Sequence, residues 1–193
     1  MGKIFYIIGK SSTGKDTIYK NIFEEENNLN QICLYTTRPI RSNEKEGEEY
    51  HFISEKQYEE IKEKGLIIEE RAYNTIHGVW RYLTVNDGQF DDDKNFIIVG
   101  VLESYVSTKN YFGEEKVIPI YIELDDEERL QRALMREKQM ETPRYAELCR
   151  RFLSDTEDFS EDKILAAGIK RRFVNDNLDR CTNEIREYIK EML

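Results

Sequence analysis

The sequence contains little cysteine and little proline. Among its 193 residues there are 3 cysteines and 3 prolines. Cys33, Cys149 and Cys181 are odd in number, far apart and not in a metal-binding spacing, so neither a disulfide framework nor a zinc site is expected. All three are predicted to pack within the fold, and this use of cysteine fits the reducing cytoplasm.

Long apolar runs are also missing. The run nearest the N-terminus, IFYII, is short. A helix that spans a bilayer needs about 18 or more apolar residues, and a signal peptide needs a longer apolar region followed by a cleavage site of small residues. We therefore expect a buried strand here, with no membrane segment and no signal peptide.

Positive charge is in deficit. There are 29 Lys and Arg residues against 39 Asp and Glu, which gives a formal net charge of -10 at pH 7. The field of such a chain repels nucleic acid and anionic membranes, and this excludes non-specific binding to either. A nucleotide-sized anion is not excluded, because a few well-placed arginines reverse the field locally.

Apolar, strand-like segments alternate with helical ones along most of the chain. The runs KIFYII, NFIIVGV and KVIPIYIEL are typical of parallel strands buried on both faces, and ICLY and RRFV are shorter candidates. Capping residues and apolar stripes predict helices over 15–25, 55–64, 126–140 and 178–192. The order predicts a three-layer α/β/α fold around a parallel sheet with right-handed crossovers.

Two stretches interrupt the alternation. Residues 36–90 mix charge, tyrosine and short strand-like pieces, and they are too long for one crossover. Residues 135–168 are polar and rich in arginine. We interpret the first stretch as an inserted lobe and the second as a mobile helical lid. Residues 1–35, 91–134 and 169–193 then form the core domain.

The segment GKSSTGKDT has the spacing of a phosphate-binding loop, G-x-x-x-x-G-K-[ST], apart from its penultimate residue. In such a loop between a strand and a helix, backbone N–H groups converge on phosphate oxygens, and Lys15 adds charge for the β- and γ-phosphates. A strand–helix turn without ligand is the alternative. The predicted ATP-binding residues are Gly9, Ser11, Ser12, Thr13, Gly14, Lys15, Asp16 and Thr17.

Asp16 stands where the motif usually has a hydroxyl residue that binds magnesium. A carboxylate also offers the hard oxygen that Mg²⁺ prefers. Thr17 follows, although it leaves a helix about 100° further round. The sequence therefore predicts a Mg²⁺-dependent site with altered coordination, in which Asp16 is the metal ligand and ATP the co-substrate.

A second anion-binding signal lies in YTTRPIRSNEKEGEEYHFIS, residues 35–54. Arg38 and Arg41 flank the stiff Pro39 and can clasp a dianion, and Tyr50 adds a hydroxyl donor. The pattern TTR-x-x-R-x-x-E-x-x-G-x-x-Y-x-F after a phosphate loop resembles the guanylate kinases. The resemblance runs the length of the chain. It implies that these residues bind the phosphate of the acceptor nucleotide, with Glu44 orienting the arginines and residues 36–90 as the acceptor-binding lobe.

The resemblance also implies roles near the donor. The family's lid supplies arginines that close over the transferring phosphoryl group, and Arg132, Arg136 and Arg151 stand at matching positions. Together with Lys15 they are the implied catalytic residues. Asn175 would lie near the adenine of ATP. Taken alone, the Arg132 and Arg136 spacing favours a solvated pair on a helix surface, and the other motifs reverse that preference.

The chain departs from the family where the acceptor base is read. The glutamate that holds guanine N1 and N2 matches Glu69, although Glu70 lies one register away, and His77 stands in the family's Y-G-[ST]. Both Glu69 and His77 are implied acceptor contacts. Where the family has a base-reading hydroxyl, this chain has Leu34 and Tyr35, and the family's Y-G-[ST] is His77-Gly78-Val79. The family's D-x-D falls on Val99-Gly100-Val101, with Glu103 after it.

The leading interpretation is an ATP-dependent nucleoside monophosphate kinase that converts GMP to GDP. Two alternatives stay open. One is a kinase of another phosphorylated acceptor such as ribose bisphosphate, since the related enzymes have GKD[ST] loops. The other is a catalytically weak binding module. The expected partners are small-molecule nucleotides, not nucleic acid or membranes, and both a monomer and a homodimer fit.

Overall fold

The fold is built on a five-stranded sheet. In the computed structural model, which describes residues 2–26, 28–41, 44–75 and 78–193, the strand order is β2-β7-β1-β8-β9. Every neighbouring pair in it is parallel, so the expected parallel sheet is confirmed. Its strands are β1 (Ile4–Ile8), β2 (Leu29–Gln31), β7 (Asn95–Gly100), β8 (Val117–Glu123) and β9 (Arg172–Val174).

Strand β1 lies at the centre of this sheet, and every residue of it is buried. The run IFYII is apolar at each position because helices cover both faces of the sheet. The chain turns into the segment from Gly9 to Thr17 at the carboxyl end of β1. In open parallel sheets, ligands bind outside the carboxyl ends of the strands, at the point where the strand order reverses. The position of this segment in the sheet therefore predicts a ligand-binding site at the carboxyl edge.

Helices form a layer on each face of the sheet. On one face, α1 (Lys15–Glu25) and α7 (Leu178–Met192) pack against Phe5 and Ile7. On the other, α3 (Leu102–Phe112) and α6 (Glu161–Ala166) pack near Tyr6. Burying each isoleucine of these interfaces contributes about 1.5–3 kcal/mol. The three-layer α/β/α fold is confirmed, and the stripe predicted for the last helix is buried at Cys181, Ile185 and Ile189.

A second sheet follows the first crossover. It has the order β4-β3-β6-β5, and its strands are β3 (Leu34–Thr36), β4 (Tyr50–Phe52), β5 (Ile67–Thr75) and β6 (Gly78–Val85). Strands β5 and β6 form an antiparallel hairpin. Helix α2 (Glu55–Glu63) lies within the predicted range 55–64 and begins at a capping box of Ser54 and Gln57, and its Tyr58 is buried against Leu83 and Val85.

A helical segment connects β8 to β9. Helix α4 (Asp126–Lys138) begins at the residue predicted, and the Asp125 side chain accepts a hydrogen bond from the Glu127 N–H. Helix α5 (Tyr145–Asp158) follows and packs on α4. Across the described part of the chain, no helix is both long and apolar enough to cross a bilayer.

The cysteines differ in exposure. Cys181 is buried and Cys33 half-buried, whereas Cys149 is exposed on α5, so the predicted packing role is wrong for Cys149. Burial raises the pKa of the Cys33 thiol and of the Cys181 thiol to about 11.

We expect iodoacetamide at pH 8 to label Cys149 first, because the other two thiols stay protonated and covered. Peptide mass spectrometry over time measures this, and a Cys149→Ser variant should lose the fast phase. Equal labelling rates at Cys33 and Cys149 would contradict the assignment.

Candidate functional site

The loop from Gly9 to Thr17 has a backbone that most side chains would not allow. Gly14 has a φ of 87°, and a Cβ on it would lie 2.4 Å from the Asn175 Nδ2 atom. A Cβ on Gly9 would lie 2.5 Å from the carbonyl oxygen of Ile122. Ser12, with a φ of 67°, is the one non-glycine with positive φ in the described part of the chain. Such strained backbone is typical of functional loops.

Asn175 holds the loop from the end of β9. Its Nδ2 donates to the Thr13 carbonyl at 2.7 Å, and the buried Thr13 hydroxyl donates to the Lys10 carbonyl at 2.9 Å. The Asn175 side chain is buried, and its Oδ1 has no hydrogen-bond partner among the described residues. Asn175 therefore braces the phosphate loop and also reaches the cavity above it.

A cavity of about 390 Å³, which we call the loop cavity, opens over the start of α1. Arg132 and Arg136 of α4 project to it, and the Arg132 Nη2 donates to the Asn175 carbonyl at 3.0 Å. The arrangement is a cationic pocket at a helix N-terminus, which favours a polyanion. The lining residues are Ser12, Gly14, Lys15, Asp16, Thr17, Arg132, Arg136, Asn175 and Leu178.

Helix α5 closes against the other side of the loop. The Asp155 Oδ2 accepts from the Ser11 N–H at 2.8 Å and from the Arg129 Nη1 at 3.2 Å. Arg129 is 1% exposed and lies over the Phe152 ring, with the guanidinium carbon 4.3 Å from the centroid. Arg151 lies in the same contact, beside Ser11. Sequence analysis did not identify Arg129 and Asp155, because residues 26 positions apart carry no mutual signal.

Arg38 is fixed in place by its neighbours. It is 3% exposed, and its two terminal nitrogens donate to the two carboxylate oxygens of Glu44 at 2.9 and 2.8 Å. The Glu44 carboxylate also accepts from the Arg41 N–H at 2.9 Å. The hydrogen bond from Arg38 lowers the pKa of the Glu44 carboxyl. Tyr50 lies 5.7 Å from the Arg38 guanidinium, measured to the ring centroid. The Arg38 Nε, buried here, makes no described hydrogen bond.

A second cavity of about 440 Å³, the lobe cavity, lies between the two sheets and α5. Lys15 and Asp16 line it as well as the loop cavity, so the two cavities share one wall. Two anions placed in them would therefore meet at Lys15. The other lining residues are Leu34, Tyr50, Arg71, Tyr73, Trp80, Tyr82, Val99, Gly100, Val101, Glu147 and Arg150.

Glu69 lies beneath the lobe cavity and does not line it. It is 4% exposed, and its carboxylate accepts from the Arg71 Nε at 2.5 Å and from the Thr84 hydroxyl at 3.3 Å. Burial raises the pKa of the Glu69 carboxyl. Glu70, on the opposite face of β5, accepts from the Tyr58 hydroxyl and from Arg81. His77 falls outside the described residues.

Several lining residues were not identified from the sequence. Arg71 and Tyr73 alternate along β5, and they face Tyr82 and Trp80 of β6 in register. The period-2 alternation puts each pair on one face of a strand, but it does not say which face meets a cavity. Arg150 lines the lobe cavity, while the adjacent Arg151 lines a small cavity together with Ser11 and Ser12 of the loop. Glu103 lines a neighbouring cavity on α3 instead.

The known proteins to which this chain is similar include guanylate kinases. The profile of the family described as guanylate kinase matches residues 1–85, which contain the phosphate loop and the arginine segment. The chain is similar to the guanylate kinase of Chlorobaculum tepidum, with 26% identity over 196 residues (100% of this chain, 94% of that protein). It is also similar to that of Porphyromonas gingivalis, with 27% identity over 200 residues (100% and 99%).

Some matches are higher in identity but shorter. The guanylate kinase of Desulfotalea psychrophila is 37% identical over 68 residues, which are 35% of this chain and 34% of that protein. Among solved structures, the guanylate kinase from Anaplasma phagocytophilum has a TM-score of 0.68 at 18% identity and covers 98% of this chain and 85% of its own. The two proteins share a fold over almost the whole chain.

Proposed function

The chain belongs to the guanylate kinase family, and we propose that it transfers the γ-phosphoryl group of ATP to GMP, giving GDP and ADP. The observation that carries this proposal is the wall of Lys15 and Asp16 common to the loop cavity and the lobe cavity. A donor in one cavity and an acceptor in the other bring their phosphates together at one cation.

In this proposal the loop cavity binds ATP. Backbone N–H groups of the loop and the dipole of α1 hold the phosphates, and Lys15 adds charge at the β- and γ-phosphates. The exposed Asp16 carboxylate and the Thr17 hydroxyl beside it suit Mg²⁺, which takes one or two protein oxygens and completes its shell with phosphates and water. When bound, Mg²⁺ neutralises charge on the transferring phosphoryl group.

The lobe cavity binds the acceptor. Tyr50 lines it and lies beside Arg38, which Glu44 fixes by two hydrogen bonds; with the exposed Arg41 they form the proposed phosphate clamp. The acceptor phosphate oxygen is already a nucleophile, so no general base is needed and the work of the protein is positioning and electrostatic stabilisation. Glu69 and His77 remain proposed base contacts by resemblance alone.

The proposed lid supplies the remaining charge. Arg132 and Arg136 line the loop cavity, and Arg150 and Arg151 reach the lobe cavity and the loop respectively. Cations on two sides of Lys15 would stabilise the transferring phosphoryl group and limit its loss to water.

The proposed division of the chain follows the two sheets except at β3, whose Leu34 and Tyr35 belong to the second sheet. Residues 1–35, 91–134 and 169–193 would act as the ATP-binding core, 36–90 as the acceptor lobe and 135–168 as the lid. The net charge of -10 favours free nucleotides over nucleic acid as partners, and a cytoplasmic nucleotide pool is the proposed setting.

A coupled assay for ADP release tests the proposal. GMP with Mg²⁺ and ATP should give turnover, and omission of Mg²⁺ should abolish it. Ribose 1,5-bisphosphate and other nucleoside monophosphates serve as competing acceptors in the same assay. Turnover on one of these with none on GMP would reject the GMP assignment.

Tyr50→Phe tests the acceptor clamp with the smallest change. A hydrogen bond to a charged group contributes about 1.5–3 kcal/mol, so kcat/KM for GMP should fall by about 10- to 100-fold, while KM for ATP stays unchanged. Tyr111→Phe, which removes an exposed hydroxyl outside both cavities, is the matched control. Equal kinetics of the two variants would place the acceptor phosphate elsewhere.

A further inference from the structure

The face that the lobe cavity offers to a base is cationic. Arg71 lines the cavity, whereas the carboxylate of Glu69 lies beneath it and is occupied by Arg71 and Thr84. The Arg71 Nε makes the contact with Glu69 at 2.5 Å. The terminal nitrogens of a guanidinium carry four of its five N–H donors. A ligand in the cavity therefore meets hydrogen-bond donors where the family resemblance implied an acceptor.

The walls of the cavity suit a flat ring. Tyr73 and Tyr82 have ring centroids 5.7 Å apart, and Trp80 lies two residues before Tyr82 on the same face of β6. Aromatic walls bind a heterocycle by stacking, which every base permits. Stacking alone therefore does not choose between bases. Of the charged lining residues, Lys15 and Asp16 lie at the wall shared with the loop cavity, and Glu147 and Arg150 lie on α5. Arg71 is the charged residue that stands on β5 beside the aromatic walls, so the choice of base is assigned to it.

A guanidinium selects a base edge with two adjacent acceptors. The O6 and N7 atoms of a 6-oxopurine form such an edge and are the commonest bidentate partner of arginine. Adenine presents N7 beside an N6 amino donor, which Arg71 would repel. The 2-amino group of guanine lies on the other side of the ring and takes no part in this contact.

We propose that Arg71 is the specificity-determining residue of the acceptor site and reads the O6 and N7 edge of 6-oxopurine nucleoside monophosphates, with Glu69 as a positioning residue beneath it. This inference rests on the proposed function of the lobe cavity. GMP and IMP share this edge and differ at C2, where IMP lacks the amino group. The site should accept both and exclude AMP.

The kinetic test compares three acceptors with Mg²⁺ and ATP. For wild type, kcat/KM for IMP should lie within about tenfold of that for GMP, and AMP should be weaker than GMP by about 5- to 150-fold, the range for one bidentate arginine–base pair. An IMP value 50-fold or more below GMP would mean that the 2-amino group is read, by a carboxylate such as Glu69, and would overturn the proposal.

Variants distinguish the role of Glu69 from that of Arg71. Glu69→Gln keeps the shape and the hydrogen bond from Thr84 but removes the charge that holds Arg71, so it should lower the GMP-to-AMP ratio by less than the loss of Arg71 does and leave the GMP-to-IMP ratio unchanged. Because Arg71→Met alone strands a buried carboxylate, the test variant is the double change Glu69→Gln with Arg71→Met, which should remove the preference for GMP over AMP. Arg81→Met on the facing strand, whose guanidinium pairs with Glu70 away from the cavity, is the matched control.

The single tryptophan gives a readout that needs no turnover. Trp80 lines the lobe cavity, so its fluorescence should report binding of GMP and IMP with similar Kd and of AMP more weakly. Absence of turnover with this binding order would reject the kinase activity and support the role of Arg71. Turnover of GMP with a double variant that still discriminates against AMP would support the kinase and overturn the role of Arg71.

Discussion

Lys15→Ala should lower kcat for GMP phosphorylation by about 100- to 1000-fold, the effect of removing one preorganised donor to a developing charge. Lys15 is the cation common to both cavities, so its loss removes charge at the point where the two phosphates meet. Binding of ATP should weaken less, since the loop amides and Arg132 remain. The coupled assay gives kcat, and titration calorimetry with ATP gives Kd.

Lys20→Ala is the control for Lys15→Ala, because Lys20 lies on the same helix and is exposed. Its kinetics should equal those of wild type. If Lys15→Ala retains kcat within tenfold of wild type, Lys15 does not stabilise the phosphoryl transfer, and the proposed arrangement of donor and acceptor is wrong.

Asp155→Ala should destabilise the fold by about 3–5 kcal/mol, the cost of removing one partner from a buried ion pair. Arg129 is 1% exposed and would keep only Asp126, whose side chain is half exposed, as its charged partner. The Ser11 N–H would lose its acceptor at the same time. Urea unfolding followed by circular dichroism measures the difference in free energy.

The double variant Arg129→Leu with Asp155→Ala tests why Asp155→Ala loses stability. The cause is either the unpaired charge of Arg129 or a general loss of packing. An apolar pair in place of a buried ion pair is often neutral or stabilising, so the double variant should recover most of the loss. Asp158→Ala, at an exposed site on the same helix, should change stability by less than about 1 kcal/mol. A double variant as unstable as Asp155→Ala would show that the pair itself is not the cause.

The sequence predicted the elements that a local pattern defines. β1 was recognisable because a strand covered on both faces is apolar at every position, and α2 because Ser54 and Gln57 form a capping box within four residues. The loop between β1 and α1 was recognisable because its motif has fixed spacings. Each of these features is encoded in adjacent residues.

The contents of the lobe cavity could not be predicted in the same way. The sequence shows the identities of Glu69 and Arg71, and the period of a strand puts two residues of this spacing on one face. Which of them reaches the cavity depends on how deep β5 lies against β6 and α3, a tertiary property. The contact of Asp155 with Ser11 joins residues 144 positions apart, and no periodicity reports a contact of that kind.

The packing of Gly14 against Asn175 has a consequence for the energetics of nucleotide binding. A loop wedged between the end of β9 and the start of α1, with no room for even a methyl group, loses its conformational freedom when the chain folds. The first nucleotide then meets amides already ordered, so little entropy is lost on its arrival. NMR order parameters of about 0.85 for the Gly14 and Lys15 amides in the ligand-free protein, the value of rigid backbone, would be the signature of such a rigid anion receptor.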